Sequence, residues 1–321
     1  MQDNSEPAEP SSAELSSPDG DSGQALVTVE AVSPLSGLLA AFFAYILWGI
    51  LPIFWKALSS VDSFEVLCHR VVWSFLFLLP FMFFKGRLGS LALFLHSPRN
   101  FLGLLCSGFL LAANWYLYIW AIGQGMIVET SLGYYINPLV NILFGIAVFR
   151  EKTGPLVKLA IAIAVAGVLY QVVALGSIPY VPLGLAFSFG IYALLRKLLL
   201  VQAIPGLFIE TLVVLPIALY WLLTQAGDGN SAFFRGDYGI DALLIGAGVI
   251  TTVPLIMFAY GVRHIRMTTL GLLQYINPTC QFLLGVFVYG EAFTTDTFIT
   301  FGCIWAALAL YTWESLRKHS W

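Results

Sequence analysis

Tyr135-Ile136-Asn137-Pro138 recurs as Tyr275-Ile276-Asn277-Pro278, offset by 140 positions. At the same offset Leu143 meets Leu283, Gly145 meets Gly285, Val148 meets Val288 and Glu151 meets Glu291. Eight of 17 aligned positions are therefore identical. Farther out, Gly108 meets Gly248. Both copies sit in apolar runs long enough to cross a bilayer, which takes about 20 helical residues. A duplication inside membrane-length segments predicts a fold made of two related halves.

Hydropathy extends this reading to the rest of the chain. Apolar residues make up 59% of the 321 residues and charged residues 10%, whereas a soluble domain carries about 25% charged residues. Spans are expected near 36–58, 64–84, 101–122, 128–149 and 156–175, and again near 180–200, 204–224, 241–262, 268–289 and 296–316. All must be helices, because a backbone in lipid needs internal hydrogen bonds and these runs are too long for barrel strands. The expected fold is all-α, a polytopic membrane protein of ten transmembrane helices.

Lys and Arg orient it. With the N-terminus cytoplasmic, twelve fall at inner loops and span ends, Lys56 and Arg235 fall outside, and Arg70 lies within a span. Such a bias is the positive-inside pattern, and it puts both termini in the cytoplasm. Five spans per half is an odd number, so the halves enter from opposite sides. They form inverted five-helix repeats, 36–175 and 176–316, an arrangement of secondary transporters with sites near the midplane. Residues 1–35 are rich in Ser, Pro and acids and lack Lys and Arg. They read as a disordered acidic cytoplasmic tail, with no basic n-region of a signal peptide, so that the first apolar segment stays as an anchor. Residues 317–321 form a short cytoplasmic tail.

Several residue patterns are similar to RarD-type permeases of the EamA branch of the drug/metabolite transporter superfamily. They include Ala44-Tyr45-Ile46-Leu47-Trp48-Gly49-Ile50, His69-Arg70-Val71-Val72-Trp73-Ser74-Phe75 and Ser131 to Asn141 around the first tetrapeptide. Leu183 to Phe189, Ile209-Glu210-Thr211 and Thr251-Thr252-Val253-Pro254-Leu255 continue the resemblance across nearly all of 36–316. It implies two EamA-like repeats in the bacterial inner membrane. The family is labelled by a link to chloramphenicol sensitivity, and the related branch includes exporters of amino acids and metabolites. The acidic tail departs from the family pattern.

Polar residues inside the spans mark where transport chemistry can sit. Pro138 and Pro278 each remove a helix hydrogen bond, freeing the carbonyls of Tyr134 and Gln274 beside Asn137 and Asn277. One reading is a substrate site framed by two kinked helices with Tyr134, Tyr135, Gln274 and Tyr275 around it; the other is kinks that only serve packing. A further helix kink is expected at Pro254. Asn114 and Tyr118 share a helix face and can hold a flat or amphipathic ligand, or simply pack. His69, Arg70 and Glu210 are ionisable groups deep in spans, where a charge costs about 2.5–3.5 kcal/mol. They read as two ends of a polar path, with Glu210 or His69 carrying a coupling proton, or as side chains snorkelling to opposite faces. Their depths differ too much for a permanent Arg70–Glu210 pair. Glu151 and Glu291 stand at equivalent helix ends, facing backbone or cations. Gly37, Gly49, Gly145, Gly167, Gly184, Gly190, Gly285 and Gly302 are expected at close helix contacts.

The four cysteines and four histidines have no metal-ligand spacing, and the nucleotide, zincin and nucleophile-elbow motifs are absent. No metal, cofactor, nucleic-acid partner or enzymatic activity is expected. The function expected is secondary transport of a small organic molecule by alternating access, driven by protons or exchange. A receptor, a partner subunit or a membrane-bound enzyme are the rival classes. The partners are the small-molecule substrate and the lipid bilayer, and the chain works as a monomer or homodimer. Substrate and direction are not encoded in these patterns.

Overall fold

The computed structural model describes residues 34–84, 97–150, 153–176, 178–199, 203–261, 265 and 273–318. The acidic tail, apart from Pro34 and Leu35, lies outside them, as do Glu151 and the start of the span expected at 268–289. The helices are α1 (Pro34–Ala57), α2 (Ser63–Phe84), α3 (Pro98–Gly123), α4 (Ile127–Phe149) and α5 (Pro155–Leu175), then α6 (Tyr180–Leu199), α7 (Ala203–Gly227), α8 (Tyr238–Gly261), α9 (Ile276–Leu283) and α10 (Thr295–Lys318). A π-helical turn, Leu284–Val288, continues α9.

Eight of these, α1 to α8, are long and apolar enough to cross a membrane. The stretch Ile276–Val288 is apolar but shorter. Helix α10 is as long as the others, but Asp296, Glu314, Arg317 and Lys318 make its ends polar. Its C-terminus runs into the residues read as a tail, and α1 already begins at Pro34.

Local chemistry sets the helix ends. Ser97 caps α3 by accepting from the Asn100 N–H, with Pro98 in the first turn, where its missing N–H costs nothing. Helix α4 stops at Arg150 in the left-handed region (φ 53°), its N–H donating to Gly145 O. One repeat length on, Gly290 (φ 64°) occupies that region just after the π turn.

Neighbouring helices pair as α5·α10, α4·α6, α4·α9, α1·α8, α1·α9, α2·α8, α2·α7, α3·α6 and α3·α7. Five connections meet at one end of the bundle. Lys56 Nζ donates to Ile122 O at 3.3 Å, joining the ends of α1 and α3. Glu65 accepts from Ser231 Oγ and Ala232 N–H, each at 2.7 Å, tying the start of α2 to the α7–α8 connection. Glu291 accepts from the N–H groups of Ile127 and Val128 at 2.8 and 2.7 Å, tying the α9–α10 connection to the start of α4. The Trp120 and Tyr180 rings, 6.3 Å apart, bring in the α5–α6 connection.

The largest apolar cluster packs Leu51, Trp55, Ile122, Leu185 and Leu244 from α1, α3, α6 and α8. A second packs Leu132, Tyr135, Phe301 and Ile304 along α4 and α10. Outward-facing residues are apolar too, with Phe43, Ile53, Phe83, Leu102, Leu223 and Phe287 exposed. An apolar outer surface of this extent fits lipid, not water.

Gly49 of α1 lies against Cys280 of α9, a Cβ there falling 2.5 Å from Cys280 Cβ, and Gly190 of α6 lies against Val140 of α4 at 2.7 Å. Gly167, Gly184 and Gly285 also sit at close contacts, but Gly302 has nothing within 4 Å of a would-be Cβ, so its expected packing role is corrected.

Candidate functional site

Two buried charged centres organise the interior. The first surrounds Arg70, on α2, which is 6% exposed. Its guanidinium lies 4.0 Å from the ring centre of Trp115 on α3 and 5.0 Å from that of Trp55 on α1. Nε donates to Thr251 Oγ1 of α8 at 3.0 Å, and Nη1 has no hydrogen-bond partner. Tyr118 and Tyr134, edge to face at 5.7 Å, close the same region within electrostatic reach of the guanidinium. The Tyr118 hydroxyl and Trp55 Nε1 are also buried without partners. A cation over an aromatic face gains about 2 kcal/mol when desolvated, which offsets only part of the cost of burying it.

His69, next in sequence, points elsewhere. Its Nδ1 accepts from Trp73 Nε1 at 3.3 Å, its ring lies 4.7 Å from Phe233, and Nε2 has no partner.

The second centre surrounds Glu210 of α7, whose side chain is 1% exposed. Arg196 Nη1 of α6 pairs with its Oε1 at 3.4 Å, and this is the one ion pair among the described residues. Ser107 Oγ of α3 donates to Oε1 at 2.7 Å and Tyr192 OH to Oε2 at 3.2 Å. Gly206, one turn before Glu210, leaves the space that the Arg196 guanidinium fills. The sequence reading counted Arg196 only as an inner-end charge and missed it as Glu210's partner. A void of about 10 Å³ beside Trp115 and Glu210 has room for at most one water.

The repeated tetrapeptides are not equivalent in structure. Pro138 lies inside the continuous helix α4, and Pro254 inside α8. Pro278 stands in the first turn of α9, after a turn at Gln274 and Tyr275. The described residues are helical at Leu273, turn at Gln274 and Tyr275 and are helical again from Ile276, so the helix is interrupted just before Pro278. The proline fits there, because a first-turn N–H has no intrahelical partner to lose. The amides nevertheless match: Asn141 Nδ2 donates to Asn137 Oδ1 at 2.8 Å, and Gln281 Nε2 donates to Asn277 Oδ1 at 2.7 Å. Thr130 Oγ1 reaches Gln281 Oε1 at 3.2 Å and the Tyr135 and Thr279 hydroxyls meet at 2.6 Å, so α4 and α9 are stitched together. Tyr275 packs against the α4–α10 cluster.

Asn114 is buried and donates to Leu185 O at 3.2 Å and Ser188 Oγ at 2.8 Å. It joins α3 to α6. Asn141 also lines a groove of about 180 Å³ between α4 and α6, with Phe144, Phe149, Gly190 and Lys197. The structure thus gathers Arg70, Tyr118 and Tyr134 in one place, Asn137 in a second and Glu210 in a third. Among the described residues no cluster of His, Cys, Asp or Glu could hold a metal.

Comparison with known proteins places the chain in a family. Residues 35–173 match the EamA-like transporter family. An "Uncharacterized transporter" of Vibrio cholerae is 44% identical over 88% of this chain and 93% of its own length. "Protein RarD" of Escherichia coli K12 is 40% identical over 90% and 97%. The "Uncharacterized transporter YojE" of Bacillus subtilis is 41% identical over 88% and 95%. A crystal structure of 20% identity matches 88% of this chain and 98% of its own at a TM-score of 0.56, a likeness of fold alone.

Proposed function

Because this chain belongs to the RarD-type branch of the EamA-like transporter family, we propose that it is a secondary carrier for a small organic molecule. It works by alternating access between two inverted five-helix repeats. One observation carries this reading: the nine helix pairings named above map onto one another when each helix is exchanged for its counterpart five places on. The neighbours α4·α6 become α9·α1, α1·α8 become α6·α3, and α2·α8 become α7·α3, all of them in contact. The pairs α2·α7, α4·α9 and α5·α10 map onto themselves. The glycine contacts follow the same exchange, since Val140 and Cys280 are repeat equivalents and face Gly190 and Gly49.

The bundle end that gathers the α1–α2, α3–α4, α5–α6, α7–α8 and α9–α10 connections is the outer one. It holds Lys56 and Arg235 as its Lys and Arg residues, whereas Arg150, Lys158, Arg196 and Lys197 belong to the opposite end. Such a bias supports a reading with both termini in the cytoplasm and the chain in the inner membrane of a bacterium. Two similar halves of opposite direction can rock about a shared midplane site.

Coupling is to a proton gradient or to exchange. Glu210 and His69, both buried, are the candidates for carrying the proton. Reconstituted protein tests the reading. Labelled substrate should exchange across the liposome membrane unaltered, and a chemically changed product would instead mean an enzyme. Uptake whose pH profile is the same in wild type, Glu210→Gln and His69→Gln would remove protons from the scheme.

A further inference from the structure

The buried Arg70 has no counter-ion in the described part of the chain. Every buried carboxylate there is engaged elsewhere. Glu65 is held by Ser231 and Ala232, Asp241 by the Phe234 N–H, and Glu210 by Arg196, Ser107 and Tyr192. Glu314, in the last turns of α10, has interactions of its own. Arg70 spends one N–H on the neutral Thr251 hydroxyl, and Nη1 is left without a partner. A guanidinium stays charged at any working pH and presents a planar fork that matches a carboxylate. The groups around it are donors rather than anions: Trp55 Nε1–H and the Tyr118 hydroxyl are both buried and unpartnered. Two indole faces hold the guanidinium, so it cannot retreat to solvent as a snorkelling side chain does.

We propose that Arg70 is the anchor for the carboxylate of the transported molecule, a small monocarboxylate with an apolar or aromatic body that packs among Trp55, Trp115, Tyr118 and Tyr134. A single cation neutralises a single negative charge, which favours a monocarboxylate over a phosphate dianion. In the described conformation the guanidinium is in contact with the Trp115 and Trp55 rings, so binding requires the aromatic side chains to part. The α1, α3 and α8 contacts of Arg70 join both halves, and a ligand there takes up interactions from each.

The test is thermal unfolding of the detergent-purified full chain with a fixed set of probes. These are the standard amino acids and aliphatic and aryl monocarboxylates as sodium salts, each beside its primary amide, with sodium phosphate as a separate probe. Tryptophan fluorescence is read in parallel. A carboxylate should raise the melting temperature of wild type and perturb the fluorescence, while its amide does neither. Arg70→Gln should abolish the response. Arg70→Lys, which keeps the charge but not the fork, should weaken the apparent affinity about tenfold, and it serves where Arg70→Gln does not fold. Equal responses to acid and amide, a response that survives Arg70→Gln, a response to phosphate alone, or none to any carboxylate would overturn the proposal. The inference builds on the carrier reading, but the two fail separately. Arg70-dependent binding without exchange in liposomes would remove carriage and leave the site. Exchange of a neutral compound that survives Arg70→Gln would remove the site and leave carriage.

Discussion

Arg70 and Arg196 are both cations drawn into the bundle, and they are treated in opposite ways. Arg196 meets a carboxylate, with Ser107 and Tyr192 completing the acceptor's hydrogen bonds. Arg70 meets two indole faces and one hydroxyl. The first arrangement is closed, holding α3, α6 and α7 together without anything from outside. The second is incomplete, with donors in excess and no anion. Burial alone therefore does not identify a site; the balance of donors and acceptors around the buried charge does.

The comparison is tested most severely by removing each partner. Glu210→Ala leaves Arg196 buried without its anion, and breaking a buried pair from one side costs about 3–5 kcal/mol. A loss of about 3 kcal/mol is expected here, because the Arg196 side chain keeps 13% exposure. Arg70→Gln removes a charge that has no partner, so unliganded stability should stay within about 0.5 kcal/mol of wild type or rise. Unfolding of the two variants side by side checks both, and a loss at Arg70 as large as at Glu210 would erase the distinction.

Gly206→Ala attacks the closed centre indirectly. A Cβ there occupies the space of the Arg196 guanidinium. An overpacking cost of about 2 kcal/mol is partly offset by the helix preference of Ala over Gly, about 1 kcal/mol. The expected net loss is about 1 kcal/mol, and in Glu210→Ala, where the ion pair is already gone, the same substitution should cost less. Additive losses would mean that Gly206 acts through some other neighbour.

Much of the fold was legible because lipid makes hydropathy nearly sufficient. Helix boundaries expected from apolar runs differ from those described by a few residues, except where 268–289 is described only from residue 273. The tetrapeptide repeat predicts two related halves, but it does not show that its copies differ locally: α4 runs on through Pro138, whereas a turn at Gln274 and Tyr275 interrupts the helix before Pro278. The amide pairs Asn137–Asn141 and Asn277–Gln281 were visible as i, i+4 spacings and went unread. Arg70 was found because its depth is a sequence property. Its lack of a counter-ion was not, since that depends on where Glu65, Asp241 and Glu210 spend their oxygens. The Arg196–Glu210 pair is not legible in the sequence, because it spans the α6–α7 connection and Arg196 fits the pattern of an inner-end charge.

Glu291 gives a third, half-buried kind of charge and the smallest effect. Its two oxygens accept the first N–H groups of α4, at Ile127 and Val128, where the helix N-terminus favours an anion. Burial nevertheless pushes its carboxyl above the ordinary range, a rise that the two backbone N–H groups and the Lys56 charge lessen without cancelling. An acid whose folded pKa is raised binds its proton more tightly when folded, so its contribution to stability is present below the unfolded pKa and fades as pH rises through the folded one. Glu291→Gln keeps one acceptor, turns the other into a donor facing an N–H, and should cost about 1 kcal/mol by analogy with lost caps. It should also remove that pH-dependent decline, so the gap between variant and wild type narrows as pH rises through the carboxyl's range. A gap that instead widens with pH would mean that the backbone donors outweigh burial at Glu291.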